Sequence, residues 1–371
     1  VKPLAGIKVV ELARILAGPW CGQLLADLGA EVIKVERPGA GDDTRHWGPP
    51  FLHTPEGENR DAAYFHACNR GKASRAIDIA TPEGQAAVRA LIADADVMIE
   101  NYKVGGLVKY GLDAASLRAA HPRLVVCSIT GFGQDGPYAT RAGYDFIIQG
   151  MGGAMSLTGE PDGSPQKSGV AYADIFTGVY SAVAILAALR RRDVSGEGAH
   201  IDMALLDTQV GVLANQALNW MADPARVPHR MGNGHANLTP YQAFETKDGA
   251  LIVAVGNDSQ FRKLCDVLGL DLADDARFAT NPARVTNRAA LIPPIEAAIR
   301  GRAKADLYEA LEAAGVPAGP INAVDEVFAD PQVIARGMRI ERDGLPGLAS
   351  PIVIDGERMV SDRASPKRPT D

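Results

Sequence analysis

The feature that most restricts this chain is the alternation of short β-branched runs with helix-patterned stretches through its first 133 residues. "IKVVELA" (7–13) reads as a strand, "GPWCGQLLADLGA" (18–30) carries apolar residues at helical spacing, and "EVIKVERPG" (31–39) reads as a strand again. Two strands joined by a helix run parallel with a right-handed crossover. The unit recurs: "SRAIDIA" (74–80), the helix "TPEGQAAVRALIADA" (81–95) and "DVMIENY" (96–102), then "AASLRAAHP" (114–122) and "RLVVCSITGFG" (123–133). Thr81-Pro82-Glu83 is a helix start, a capping hydroxyl followed by proline in the first turn. Repeated βα units predict an α/β protein with a Rossmann-like, doubly wound parallel sheet covered on both faces.

Beyond residue 168 the pattern changes. "GVAYADIFTGVYSAVAILAALRRRD" (169–193) predicts a long buried helix, uncharged from Ile175 to Leu189 and opened by Asp174. Its apolar run, Val179–Leu189, is shorter than a bilayer requires, so no membrane partner is expected. A short strand and a second long helix follow in 196–223, with 201–224 read as a linker helix. "YQAFETKDGALIVAVG" (241–256) predicts a hairpin about Lys247-Asp248-Gly249, and helices are expected over 258–268, 288–300 and 303–314. The domain expectation is therefore a large domain from 1–200 and 330–371, a small α+β domain over 225–315, and a return linker at 316–329. The last residues are expected to be disordered.

A chain of 371 residues can bury large cores without disulfides or metals. The formal charge of −7 gives no electrostatic support for nucleic-acid binding. Cys21, Cys68, Cys127 and Cys265 are far apart, and with seven histidines they form no metal-ligand spacing, so free thiols and no metal are expected. "VKPLAGIKVVEL" carries neither a signal-peptide core nor the composition of a transit peptide. A cytoplasmic protein with a processed or trimmed start is the expectation.

The common α/β chemistries are poorly supported. The first βα turn, "LARILAGPWCG", lacks G-x-G-x-x-G and places Pro19 and Trp20 where a backbone must approach a pyrophosphate, so a nucleotide-binding oxidoreductase is a weak reading. There is no G-x-S-x-G and no P-loop. What remains is a set of cations and amides at successive strand ends: Arg37, then Asn69 and Arg70 with Lys72 and Arg75, then Asn101, Tyr102 and Lys109, then Arg141, Tyr144 and Asp145. Each alone reads as a surface residue. Together, at the edge where open α/β sheets bind ligands, they suit a polyphosphate or polycarboxylate.

The blocks "LAGPWCGQLLADLGAEVIKVERPGAGDDTR", "ENYKVGGLVKYGLD", "SITGFGQDGPYATRAGYDF" and "GVAYADIFTGVYSAVAILAAL" resemble the family III CoA-transferases, and the resemblance runs from Pro3 to about Pro366. It implies coenzyme A or an acyl-CoA as substrate with no permanently bound cofactor, and an interlocked homodimer. Asp174 falls on the family's catalytic aspartate. Leu16 and Ala17 fall near the CoA, Arg37 on the arginine meeting its adenosine phosphates, and Asn101, Tyr102 and Lys109 on a further CoA-contacting segment, where Lys109 replaces the usual arginine. Tyr144 and Asp145 match a pair beside the thioester. Related racemases carry histidine at Tyr144, and the oxalate-using formyl-CoA transferases carry glutamine at Leu16. The stretch 230–261 is most similar to succinyl-CoA–glutarate transferases.

The resemblance therefore implies transfer of CoA from an acyl-CoA, succinyl-CoA above all, to a dicarboxylic acid through Asp174. Arg14, Arg45, Arg230 and His235 are the candidates to hold the acceptor's second carboxylate. An acyl-CoA racemase of the same fold and a noncatalytic CoA-binding module stand as alternatives.

Overall fold

The computed structural model describes residues 1–53, 57 and 59–369; Thr370 and Asp371 of the expected disordered end lie outside them. Six strands form one sheet: β1 (Lys8–Glu11), β2 (Glu31–Glu36), β3 (Lys72–Ala76), β4 (Val97–Glu100), β5 (Val125–Thr130) and β6 (Ala199–Ala204). Their spatial order is 3-2-1-4-5-6 and every pairing is parallel. The strand order reverses direction between β1 and β4, the point at which such sheets open a crevice at their carboxyl ends.

Side chains alternate across the sheet, as strand geometry requires. Val9, Val97, Ile99, Val125, Cys127 and Ile129 point to one face and pack with α1 (Ala17–Asp27), through Ala17, Cys21 and Leu25. The intervening Val10, Met98 and Val126 point to the other face. There they meet α2 (Pro82–Ala93) through Val88 and Ile92, and α3 (Ala114–Ala120) through Leu117. The expected start of α2 is present, with the Thr81 hydroxyl accepting from the Gly84 N–H at 3.0 Å.

β3 stops at Ala76, short of the expected run to Ala80, because the chain turns there: the Thr81 N–H donates to the Asp78 carbonyl and the Ala80 N–H to the Asp78 carboxylate. β4 likewise ends at Glu100, two residues before the expected end, and releases Asn101 and Tyr102 into the crevice.

Two further helices matter for the site, α4 (Asp145–Met151) and α5 (Tyr172–Ser195). α5 is 24 residues long and its most apolar 18-residue stretch has a mean hydropathy of 1.6, so by length and composition alone it could cross a bilayer, although the run Val179–Leu189 is shorter than that. Here it is a core helix, burying Ala173, Ala182, Ile185 and Leu189 against the sheet and α1. Gly178 lets the two helices touch, since a Cβ there would stand 2.7 Å from the Ala17 carbonyl oxygen.

The chain divides into two compact units, one of residues 1–154, 168–213 and 328–371, the other of 155–167 and 214–327. The stretch read as a linker helix contains most of β6 and then two helices, Leu205–Gly211 and Ala214–Ala222. In the second unit, β7 (Tyr241–Thr246) and β8 (Gly249–Ala254) form the hairpin, closed by Thr246 opposite Gly249. Residues 316–329, read as a return linker, supply β9 (Ala318–Pro320), antiparallel to β8, and the helix Val324–Ala329. Phe244, Leu251, Phe261, Leu291, Ile295 and Leu307 belong to that unit's own core.

Candidate active site

The crevice at the β1/β4 switch holds two adjacent cavities. The larger, about 440 Å³, is lined by Arg14–Ala17, Asn101, Tyr102, Lys109, Gly131, Arg141, Gly143, Tyr144 and Asp174. The smaller, about 290 Å³, is lined by Arg37, Glu36, Asp42 and Asp78, and shares Arg14, Tyr102 and Tyr110 with the first. Gly131 and Gly143 cross with so little space that a Cβ on either would lie within 2.6 Å of the other's backbone. That contact brings the 131–144 segment over the end of β5.

Asp174 is the third residue of α5, half-buried, facing the larger cavity. An aspartate at a helix start commonly caps it, but here the cap is another residue. The Asp145 Oδ1 accepts from the Ala173 N–H at 3.0 Å and from the Asp174 N–H at 3.4 Å, while its Oδ2 accepts from Gln149 Nε2 at 2.7 Å. Among the described residues, nothing donates a hydrogen bond to the Asp174 carboxylate and no cation pairs with it. Burial first, and the charge of Asp145 second, push its carboxyl up to about 7. A carboxylate raised this way is more basic, hence a better nucleophile, and still ionises near neutrality.

The expected cations separate into two groups. Arg37, Lys109 and Arg141 are exposed at the cavities and, among the described residues, form no ion pair; Arg141 lies 3.9 Å over the Tyr138 ring. Arg14 reaches Asp43 at 2.6 Å. Tyr144 is 59% exposed at the cavity mouth, and Asp145 sits behind Asp174 rather than in the lining. Leu16 and Ala17 are buried at the start of α1, whose first turn has no side-chain cap.

Asn69 and Arg70 precede β3 and Lys72 opens it, in register with Val32 near the start of β2 rather than at the carboxyl edge, while Arg45 lies in the 3-10 turn Asp43–His46; all four face inward, which corrects their reading as ligand contacts. Arg70 pairs with Asp27 at 2.6 Å, and Asn69 donates to the Phe65 carbonyl while accepting from Lys72 Nζ. Lys72 and Lys34 both pair with Glu11, and Lys34 also pairs with Asp42 at 2.9 Å, all fully buried. Burial opposes the charge on Lys34, but Glu11, Asp42 and Glu36 outweigh it and raise its pKa. Arg45 is 1% exposed, bonded to Glu36 and Asp61 at 2.7 Å each and stacked 3.6 Å over Phe65. Such side chains are spent on neutralising one another, because a lone charge there is costly.

In the second unit, Arg230 donates to the Glu160 and Gly163 carbonyls, and His235 Nδ1 accepts from the Asn237 and Leu238 N–H groups. The four cysteines are buried free thiols, and burial pushes Cys68 and Cys127 up to about 12. No cluster of metal-ligating side chains occurs among the described residues.

Residues not singled out from sequence also enter the site. Tyr64 lies within electrostatic reach of Asp174, its hydroxyl pushed up to about 12 by burial and then by that carboxylate, so it stays a neutral donor. Gln149 is fully buried and ties Asp145 to the Ser168 N–H. Ile15 has φ +74°, a conformation no residue pattern announces.

A raised carboxylate, unpaired among the described residues, in a cation-rimmed crevice is an arrangement suited to an α/β enzyme that takes an anionic ligand. The chain belongs to CoA-transferase family III, whose sequence pattern matches residues 4–371. It is 58% identical to a succinate–glutarate CoA-transferase of Agrobacterium fabrum, over 98% of this chain and 92% of that protein. It is 42% identical to the human succinyl-CoA:glutarate CoA-transferase, over 92% of this chain and 77% of that protein. A crystal structure of a CaiB/BaiF family protein from Brucella suis superposes with a TM-score of 0.87 at 60% identity, covering 99% of this chain and 96% of that one.

Proposed function

We propose that this enzyme moves CoA from succinyl-CoA to glutarate or a closely related dicarboxylic acid, with Asp174 as nucleophile. The observation that carries the reading is the Asp174 carboxylate itself: without a donor or cation among the described residues, raised to about 7, and facing a cavity rimmed by Arg14, Lys109 and Arg141. The identities to glutarate-using relatives support the choice of acids.

A carboxylate oxygen of Asp174 attacks the donor's thioester carbonyl and expels CoA thiolate, leaving an aspartyl–acyl anhydride. The thiolate then attacks the aspartyl carbonyl carbon and releases the donor acid, giving an aspartyl–CoA thioester. The acceptor carboxylate attacks that thioester, expels thiolate again and forms a second anhydride. Attack of the thiolate on the acceptor's acyl carbon yields the new CoA ester and restores Asp174. No proton is consumed, so no general base is required. The apolar lining that shares the cavity with Asp174, among it Leu16, Ala17, Ile129 and Leu205, keeps water from the anhydrides.

Arg37, Lys109 and Arg141 are free to meet the CoA phosphates. Arg14 is the candidate for a substrate carboxylate that stands in the same cavity as Asp174. A homodimer accords with the apolar side chains left exposed on α4 and α5, Phe146, Ile147, Phe176, Val179, Tyr180 and Val183.

The test is incubation with succinyl-CoA and a panel of dicarboxylates, with new CoA esters read by mass spectrometry. Glutaryl-CoA should form, and Asp174→Ala should abolish it while retaining CoA binding. Deuterium incorporation at the acyl α-carbon without transfer would favour the racemase reading instead.

A further inference from the structure

Between the end of β1 and the start of α1 the chain makes a single sharp turn, Leu12–Leu16, which supplies Arg14, Ile15 and Leu16 to the larger cavity. The turn rests on Ile15 at φ +74°. That region crowds any Cβ against the following carbonyl, and a β-branched side chain suffers most, so isoleucine there must be held by its surroundings. Three side chains hold it. The Asn101 amide closes a two-point clamp on the preceding residue: the Arg14 N–H donates to Asn101 Oδ1 at 2.9 Å, and Asn101 Nδ2 donates to the Arg14 carbonyl at 2.7 Å. On the other side, the Ile15 N–H donates to Asp42 Oδ1 at 3.4 Å, and Asp42 is itself fixed by Lys34 and Thr44. The Cys68 thiol donates to the Ile15 carbonyl at 3.5 Å.

We propose that Asn101 is a positioning residue for the transfer reaction: its amide, bonded at both ends to the Arg14 backbone, holds Ile15 in its strained conformation and so sets part of the wall of the cavity that Asp174 faces. This adds a structural role to the reading of Asn101 as a CoA contact: each end of its amide already bonds the Arg14 backbone, with one N–H and one oxygen lone pair remaining. The geometry makes the need for the clamp conditional on the residue at position 15. Glycine adopts φ +74° without a steric cost, so a chain with glycine there keeps the turn with or without Asn101.

The inference rests on the placement of the chemistry at Asp174, not on the identity of the acids. A failure of succinyl-CoA and glutarate as substrates therefore concerns the acids alone, and the experiment can use any acyl-CoA and acid the enzyme turns over. The experiment is a double-mutant cycle with Asn101→Ala and Ile15→Gly, reading kcat and KM for the acyl-CoA. In the Ile15 background, Asn101→Ala should lower kcat about tenfold with KM within about twofold, the pattern of a lost transition-state geometry. In the Ile15→Gly background the same substitution should cost about twofold or less. Asn101→Asp, which keeps the acceptor and loses the donor, should fall between.

An equal cost of Asn101→Ala in both backgrounds overturns the proposal. A rise in KM with kcat preserved also overturns it, since that marks direct ligand contact. So does a negligible effect of Asn101→Ala, or an Ile15→Gly enzyme without turnover.

Discussion

The pH dependence of this enzyme follows from one side chain. In the proposed mechanism Asp174 attacks as the carboxylate, so its ionised fraction sets the acid limb of kcat/KM. With the carboxyl at about 7, roughly one molecule in ten is ionised at about pH 6 and nine in ten at about pH 8, a rise in kcat/KM of about tenfold. Asp145→Asn removes the second cause of the elevation and keeps an oxygen to accept from the Ala173 N–H. The limb should therefore move to lower pH, but not all the way to the ordinary 3.8, because burial is the larger cause and remains.

The same elevation acts on stability. Below about pH 4 Asp174 is protonated in both folded and unfolded chains; above it the unfolded chain ionises first, so the proton's contribution to folding is lost as pH rises through 7. A rise from 3.8 to about 7 corresponds to on the order of 4 kcal/mol at about 1.4 kcal/mol per tenfold. Asp174→Asn, which never ionises, should match the parent near pH 4 and exceed its stability at about pH 8 by up to that amount. Steady-state kinetics across pH and urea unfolding at the two extremes read both effects. A flat kcat/KM, an acid limb unmoved in Asp145→Asn, or an Asp174→Asn protein less stable than the parent at alkaline pH would refute the reasoning.

Two further outcomes test the frame around the site. Gly178→Ala, which in an open helix would stabilise by about 1 kcal/mol, should instead destabilise, because its Cβ meets the Ala17 carbonyl oxygen at 2.7 Å and the Trp20 side chain at 3.0 Å; thermal unfolding gives the sign. Arg45→Ala should cost about 3–5 kcal/mol in urea unfolding by leaving Glu36 and Asp61 without their buried partner. Unchanged unfolding would mean that this cation is not part of the fold's interior.

How far the chain can be read without its structure differs by residue. The parallel sheet was legible because βα alternation and two-sided burial are local patterns, visible as "KVV", "VIKV" and "VVCSI" between helical stretches. Asp174 was legible as an isolated charge before fifteen uncharged residues. Arg45, Asn69, Arg70 and Lys72 were not distinguishable from Arg37 and Arg141: all follow or precede strands, and only packing shows which face inward to Glu36, Asp27 and Glu11 and which stay free.

By itself, then, the sequence determined the parallel β1–α1–β2 unit, the hairpin about Lys247-Asp248-Gly249 and the position of the lone carboxylate, because each depends on residues close together in the chain. Tertiary structure alone decided that Asp145, 29 residues earlier, caps α5 and that, among the described residues, the Asp174 carboxylate is left without a donor. It alone decided that Asn101, 87 residues on, clamps Arg14 and holds Ile15 in a conformation that isoleucine otherwise avoids. Hydrogen-bond partners so distant meet only when the sheet has brought the ends of β1 and β4 side by side, and no local pattern encodes that meeting.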